Sequence, residues 1–154
     1  MKSFRKNVWI VLMAMAMVGL AASEAAAEPQ FYAPWECGVS HPVTQGNFGS
    51  TSHYGDYNQH AWDVSMPEGT PVKAPFDGYV INFYEDTATS CWTGRCTSSC
   101  IESANYLYVC LTGKNNQKFG MKFVHLMKDG VNKYGQFKQG DIIAYSGQTG
   151  CASG

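Results

Sequence analysis

Asp63-Val-Ser-Met-Pro-Glu-Gly-Thr-Pro-Val-Lys-Ala-Pro-Phe-Asp-Gly-Tyr-Val-Ile-Asn-Phe-Tyr84 is the stretch on which the fold of this 154-residue chain turns. Val, Ile, Phe and Tyr are enriched across Thr70 to Ala74 and Gly78 to Tyr84, both of strand length, and Pro75-Phe-Asp-Gly between them is turn chemistry. The spacing predicts two short strands joined as a hairpin. Just upstream, the turn Pro67-Glu-Gly-Thr-Pro71 has few conformations open to it, so it fixes Asp63 relative to the strand that follows. Further out, Asn105 to Leu111 and Lys118 to Leu126 read as two more strands, separated by the turn residues Thr-Gly-Lys-Asn-Asn-Gln. Past residue 30 no window repeats its apolar residues with a helical period. These observations predict an all-β fold, antiparallel strands in a sandwich or partly open barrel. A chain of this length with 45% hydrophobic residues builds one core, hence one domain.

The N-terminus is a separate segment. Lys2, Arg5 and Lys6 precede an apolar run from Val8 to Ala22, and small residues end at Ala25-Ala-Ala27 before Glu28. This is the layout of a secretory signal peptide over residues 1–27, cleaved after Ala27. The alternative is an uncleaved anchor, but the apolar run falls short of the roughly 20 residues that cross a bilayer, and no cysteine stands nearby for lipid attachment. A secreted, periplasmic or cell-envelope location follows, with no stable membrane insertion after cleavage. The exported part is slightly more acidic than the whole chain, whose net charge is −1, and so lacks the basic patch that nucleic-acid binding requires. No feature asks for an oligomer, and a monomer is expected. All six cysteines, Cys37, Cys91, Cys96, Cys100, Cys110 and Cys151, lie in the exported part, where disulfides are the expectation. Three of them fall in the polar stretch from Glu85 to Ala104, which reads as a disulfide-stapled loop at the rim of a site. Cys91, Cys96 and Cys100 cannot all pair among themselves, so at least one reaches Cys37, Cys110 or Cys151. A zinc knot made from the same three is the competing reading, with unusual spacing and no nearby histidine.

Two histidines, His53 and His60, stand ahead of Asp63, and imidazole with carboxylate is a donor set suited to zinc. On a regular strand His60, three residues before Asp63, points to the opposite face, and the residue four before it is Gln59. Tyr54-Gly-Asp-Tyr-Asn58 is turn-like and able to bring His53 back from any direction. His53 is therefore the favoured ligand, and His60 either the alternative ligand or a group contacting substrate. Trp62, Tyr54 and Tyr57 are candidates to line a groove for an extended peptide, although the expected place of Trp62 is the core.

The run from Asp63 to Val80 resembles the signature of the M23 (lysostaphin-type) zinc metallopeptidases, which cut peptide bonds of bacterial peptidoglycan. The lead-in Val43-Thr-Gln-Gly46, the pair Ser52-His53 and Ala61-Trp-Asp63 are similar to one subgroup of that family. Phe123-Val-His125-Leu126 resembles the family's aromatic-x-His-Leu, which makes His125 a catalytic histidine and not a ligand. The track Gly140-Asp-Ile-Ile-Ala-Tyr-Ser-Gly-Gln-Thr-Gly150 is like another family motif in order and spacing. The resemblance covers about residues 34 to 154 and implies a zinc (Zn2+) metalloendopeptidase domain over 28–154, with His53 or His60 and Asp63 as metal ligands. In the family a His-x-His pair follows the Ser-Gly-x-Thr-Gly motif and supplies the third ligand. No such pair follows Gly150 here, so the domain is expected to be C-terminally incomplete, and nothing in the Ser-His-Pro setting of His41 marks it as a substitute. Two other readings stand beside the enzyme. One is a metal-free module of the same fold that binds peptidoglycan or regulates a cell-wall hydrolase. The other is a disulfide-rich adhesion domain, which accounts for the cysteines but not for the histidines.

Overall fold

A computed structural model of the chain describes residues 32–132 and 135–152. The expected signal segment, residues 1–27, lies outside them. The described part is all-β: β1 (Val43–Gln45), β2 (Asp63–Val64), β3 (Pro71–Lys73), β4 (Gly78–Tyr84), β5 (Tyr106–Thr112), β6 (Lys118–Val124), β7 (Gln136–Phe137) and β8 (Ile142–Tyr145), all paired antiparallel. Helix is confined to single turns, among them α1 (Gly55–Asn58) and α2 (Ser98–Glu102). No helix among the described residues is long and apolar enough to cross a membrane.

The largest sheet runs β6-β5-β4-β7, with β6 at one edge. Its centre is β5, where Leu107, Val109 and Leu111 are fully buried while Tyr106 and Tyr108 on the other face reach solvent. This is the period-2 alternation of a half-buried strand. The buried face packs on Val72 and Ala74 from β3 and its end, on Ile143 and Ala144 of β8, and on Leu126, Val131 and Phe137, giving one contiguous core.

The expected hairpin between β3 and β4 does not form. β3 pairs instead with β8, through Pro71↔Tyr145, Val72↔Ala144 and Lys73↔Ile142, and β4 pairs with β5 and β7. Pro75 and the residues after it carry the chain from one layer to the other. Ala74 closes its bonds to Asp141 and Gly140 (2.8 and 2.9 Å), and Asp77 accepts from Lys138 Nζ and the Gln139 amide (2.8 and 2.9 Å). Alternation identifies a strand but not its neighbour, and here residues some 70 positions downstream supply the better apolar face.

The Glu85–Ala104 stretch is the stapled loop expected, with α2 inside it, capped by the Thr97 hydroxyl accepting from the Cys100 amide at 3.3 Å. Cys91 is bonded to Cys100, and Cys96 reaches across 55 positions to Cys151. Engaged in disulfides, these cysteines form no zinc knot. Cys37 (exposed) and Cys110 (buried) remain thiols.

Candidate metal and proton-transfer site

The turn expected to fix Asp63 is itself gripped from a distance. The Ser146 hydroxyl donates to the Pro67 carbonyl (2.6 Å) and accepts the Thr70 amide (3.0 Å), while the Gly69 amide donates to the Ser146 carbonyl (2.8 Å). Two motifs nearly eighty residues apart thus form one unit. Asp63 opens β2 opposite Gln45 of β1, and its side chain is 51% exposed. The loop before it closes at its base, where the Phe48 amide donates to the Gln59 carbonyl at 2.7 Å. Within it Tyr54 to Asn58 wind into α1, and His53 comes back against β2, 4% exposed.

His53 Nδ1 lies 2.8 Å from the Gly46 carbonyl, and His53 Nε2 lies 3.1 Å from Asp63 Oδ1. A carbonyl oxygen only accepts, so Nδ1 carries the proton and, in the neutral ring, Nε2 presents its lone pair. That lone pair faces a carboxylate oxygen, which also only accepts. Two acceptors at this separation call for a cation: a second proton on the ring or a metal ion. Two ligands of one tetrahedral zinc, each at roughly 2.0–2.2 Å, stand roughly 3.4 Å apart, so the pair fits zinc with a small adjustment of the exposed carboxylate.

His60 is exposed and sits edge-on to Phe48, ring centroids 5.3 Å apart. His41 is half-buried and edge-on to Trp35 at 5.4 Å, its Nε2 without a hydrogen-bond partner. Among the described residues no three His, Cys, Asp or Glu side chains come together to hold a metal ion. Trp62, expected in the core, is 61% exposed, and Tyr54 is exposed as well. Trp62 lies just ahead of the two-residue β2 and outside any strand.

His125 follows β6 in the left-handed backbone region, φ 61°. Its Nδ1 donates to the Thr149 carbonyl at 2.7 Å, which leaves Nε2 as the free acceptor of the neutral ring. Beside it Asn105 is fully buried, its amide nitrogen bonded to the Thr87 and Leu126 carbonyls (2.7 and 3.2 Å). Gly46, Thr149 and Asn105 are the partners that sequence reasoning did not single out. Two of them act through backbone carbonyls, which leave no mark in a sequence. Asn105 did offer a signal, as an amide side chain opening an apolar strand.

A family model described as Peptidase family M23 matches residues 57–154. No curated protein matches the chain.

Proposed function

The chain belongs to peptidase family M23, and from that membership we propose that it is a zinc-dependent endopeptidase acting on the peptides of bacterial cell-wall peptidoglycan. The observation that carries the reading is the acceptor pair of His53 Nε2 and Asp63 Oδ1, 3.1 Å apart. His53 is locked in the metal-binding tautomer by the Gly46 carbonyl, and the half-exposed Asp63 leaves the site open to a substrate.

Zinc, when bound, supplies a Lewis acid that polarises the scissile carbonyl and activates water. His53 and Asp63 hold it, and His60 on its exposed loop contacts substrate. His125 moves a proton at Nε2, because Nδ1 is committed to the Thr149 carbonyl. Two ligands hold a catalytic zinc poorly against competition, so a downstream His-x-His segment is the expected source of the third. The substrate reading also takes the protein as a monomer exported after cleavage at Ala27, without nucleic-acid partners. Sequencing of exported material then begins at Glu28.

Metal titration separates the assignments. The 154-residue chain should bind zinc weakly, and the chain extended by a His-x-His segment should bind it stoichiometrically and cleave peptidoglycan. In the extended chain Asp63→Ala and His53→Ala lose zinc and His60→Ala keeps it, while His125→Ala keeps zinc and loses turnover. Full zinc retention after Asp63→Ala would overturn the metallopeptidase reading. A second reading is a metal-free module of the same fold that binds peptidoglycan or regulates a cell-wall hydrolase. It is the outcome if the extended chain still takes no zinc yet is retained on peptidoglycan.

A further inference from the structure

His125 is held in a conformation that its own strand does not explain. A histidine at φ 61° sits in a region sparsely used by residues with a Cβ, and such a backbone persists only where its surroundings dictate it. The surroundings are few and specific. Thr149, 2% exposed, donates its hydroxyl to the Leu126 carbonyl at 2.9 Å and offers its own carbonyl to the His125 ring at 2.7 Å. The same hydroxyl accepts the Asn105 amide at 3.0 Å, and the Asn105 carbonyl accepts the Leu126 amide at 3.2 Å. Asn105 closes the group by taking the Thr87 amide on Oδ1 at 3.0 Å. Every partner of this cluster other than His125 and Leu126 comes from the β4–β5 loop, the start of β5, or Thr149.

What holds Thr149 in place is the loop. Residues 149–152 form no strand, and their pairing is the single bridge Ser90↔Gly150. The Gly150 carbonyl accepts from the Cys91 amide (2.9 Å), and Gly150 presses so closely on Ala104 that a Cβ there would come within 2.6 Å of its Cα. The covalent tie between the two segments is Cys96–Cys151, two residues beyond Thr149, and Cys91–Cys100 closes the loop on itself.

We propose that this doubly bridged loop is a positioning device for His125: Cys96–Cys151 clamps the 149–152 segment, and Thr149 with Asn105 sets the ring's single tautomer, Nδ1 protonated and Nε2 free. Cys96, Cys151, Thr149 and Asn105 are positioning residues. None needs to touch substrate. The inference rests on the reading of His125 as the proton-transfer group only for its consequence in catalysis; the tautomer itself is a property of the metal-free chain.

The test is ring-nitrogen NMR of the oxidised full chain, histidine-labelled and in chelator, so that neither zinc nor activity enters the readout. The wild type should show one His125 tautomer. In Cys96→Ser/Cys151→Ser that signature should collapse to a tautomer mixture while the His53 ring signals stay unchanged. A folded variant whose His125 keeps the single tautomer overturns the proposal. Should the bridge-less chain fail to fold, Thr149→Val and Thr149→Ser decide. The valine, which keeps the shape and loses the hydroxyl, should lose the signature and the serine should restore it; an unchanged signature in the valine variant is likewise fatal. In an active extended chain the valine variant should lower kcat roughly tenfold or more with KM little changed. If no form cleaves peptide while the tautomer responds as described, the peptidase reading fails and the positioning device stands.

Discussion

Asp63 and His53 are poor neighbours for each other when no cation is present, and this gives a prediction at the scale of one atom pair. Asp63→Asn replaces a carboxylate oxygen by an amide that donates to the Nε2 lone pair, 3.1 Å away in the parent. In chelator near neutral pH the asparagine variant should match or exceed the parent's stability, by about 1 kcal/mol at most. With zinc added it should lose the metal-induced rise in Tm that the parent shows. Thermal melts of both proteins with and without zinc check this; a large loss of stability in chelator would show that the carboxylate has a different partner. Legibility at this scale depends on chemistry borne by side chains. The Pro67–Pro71 turn pointed to a fixed Asp63, and the turn residues Tyr54–Asn58 pointed to a returning His53, because both statements concern local backbone freedom. The exposure of Trp62 was not legible, since a tryptophan in sequence carries no sign that it stands outside the strand that follows it.

Elements are steadied by contacts of two kinds, apolar and ionic, and each predicts a measurable loss. Leu107 in β5 is fully buried in the face that packs on β3 and β8. Leu107→Ala should cost about 2–5 kcal/mol in denaturant unfolding, whereas Tyr108→Ala on the outer face should cost less. The crossing from β3 to β4 is tied down by Asp77, whose carboxyl is held below its ordinary value of 3.8 by the hydrogen bond from Lys138, then by the Gln139 amide, against a smaller opposing effect of burial. A lowered folded-state pKa means that the contribution is complete above the unfolded value and lost as pH falls through the folded one. Asp77→Asn should therefore lower Tm slightly at pH 7, where the contribution of this solvent-exposed pair is complete but small, and flatten the acid limb of a Tm-against-pH curve below about pH 4. The strands themselves were legible: β4 and β6 lie within the stretches read as strands, and β5 overruns its stretch only by Thr112. Their partnership was not, because the choice of β8 over β4 as neighbour of β3 is made by Ile143 and Ala144, residues that no local window contains.

For the molecule as a whole, the cross-link between Cys96 and Cys151 matters more than its single bond suggests. Closing 55 positions of chain removes unfolded-state freedom worth about 4 kcal/mol on the loop-entropy account. Cys96→Ser/Cys151→Ser should lower the free energy of unfolding by an amount approaching that, and Cys91→Ser/Cys100→Ser, which opens only 9 positions, by less. Sequence spacing required one of the three loop cysteines to reach outside, but the choice of Cys151 comes from the tertiary return of the chain past β8. A last consequence concerns how copies of the protein behave together. Among the described residues β6 has a strand neighbour on one side only, and an open edge invites a strand from another molecule. Lys118 and Lys122 occupy that edge strand, with Lys122 lying 4.1 Å from the centre of the Tyr106 ring. Two molecules meeting edge to edge bring these ammonium groups against their counterparts, and the repulsion weakens as salt shortens its range. Light scattering at high protein concentration should accordingly rise with ionic strength. In Lys118→Ala/Lys122→Ala it should be high from the outset, the edge having lost its guard against colloidal growth.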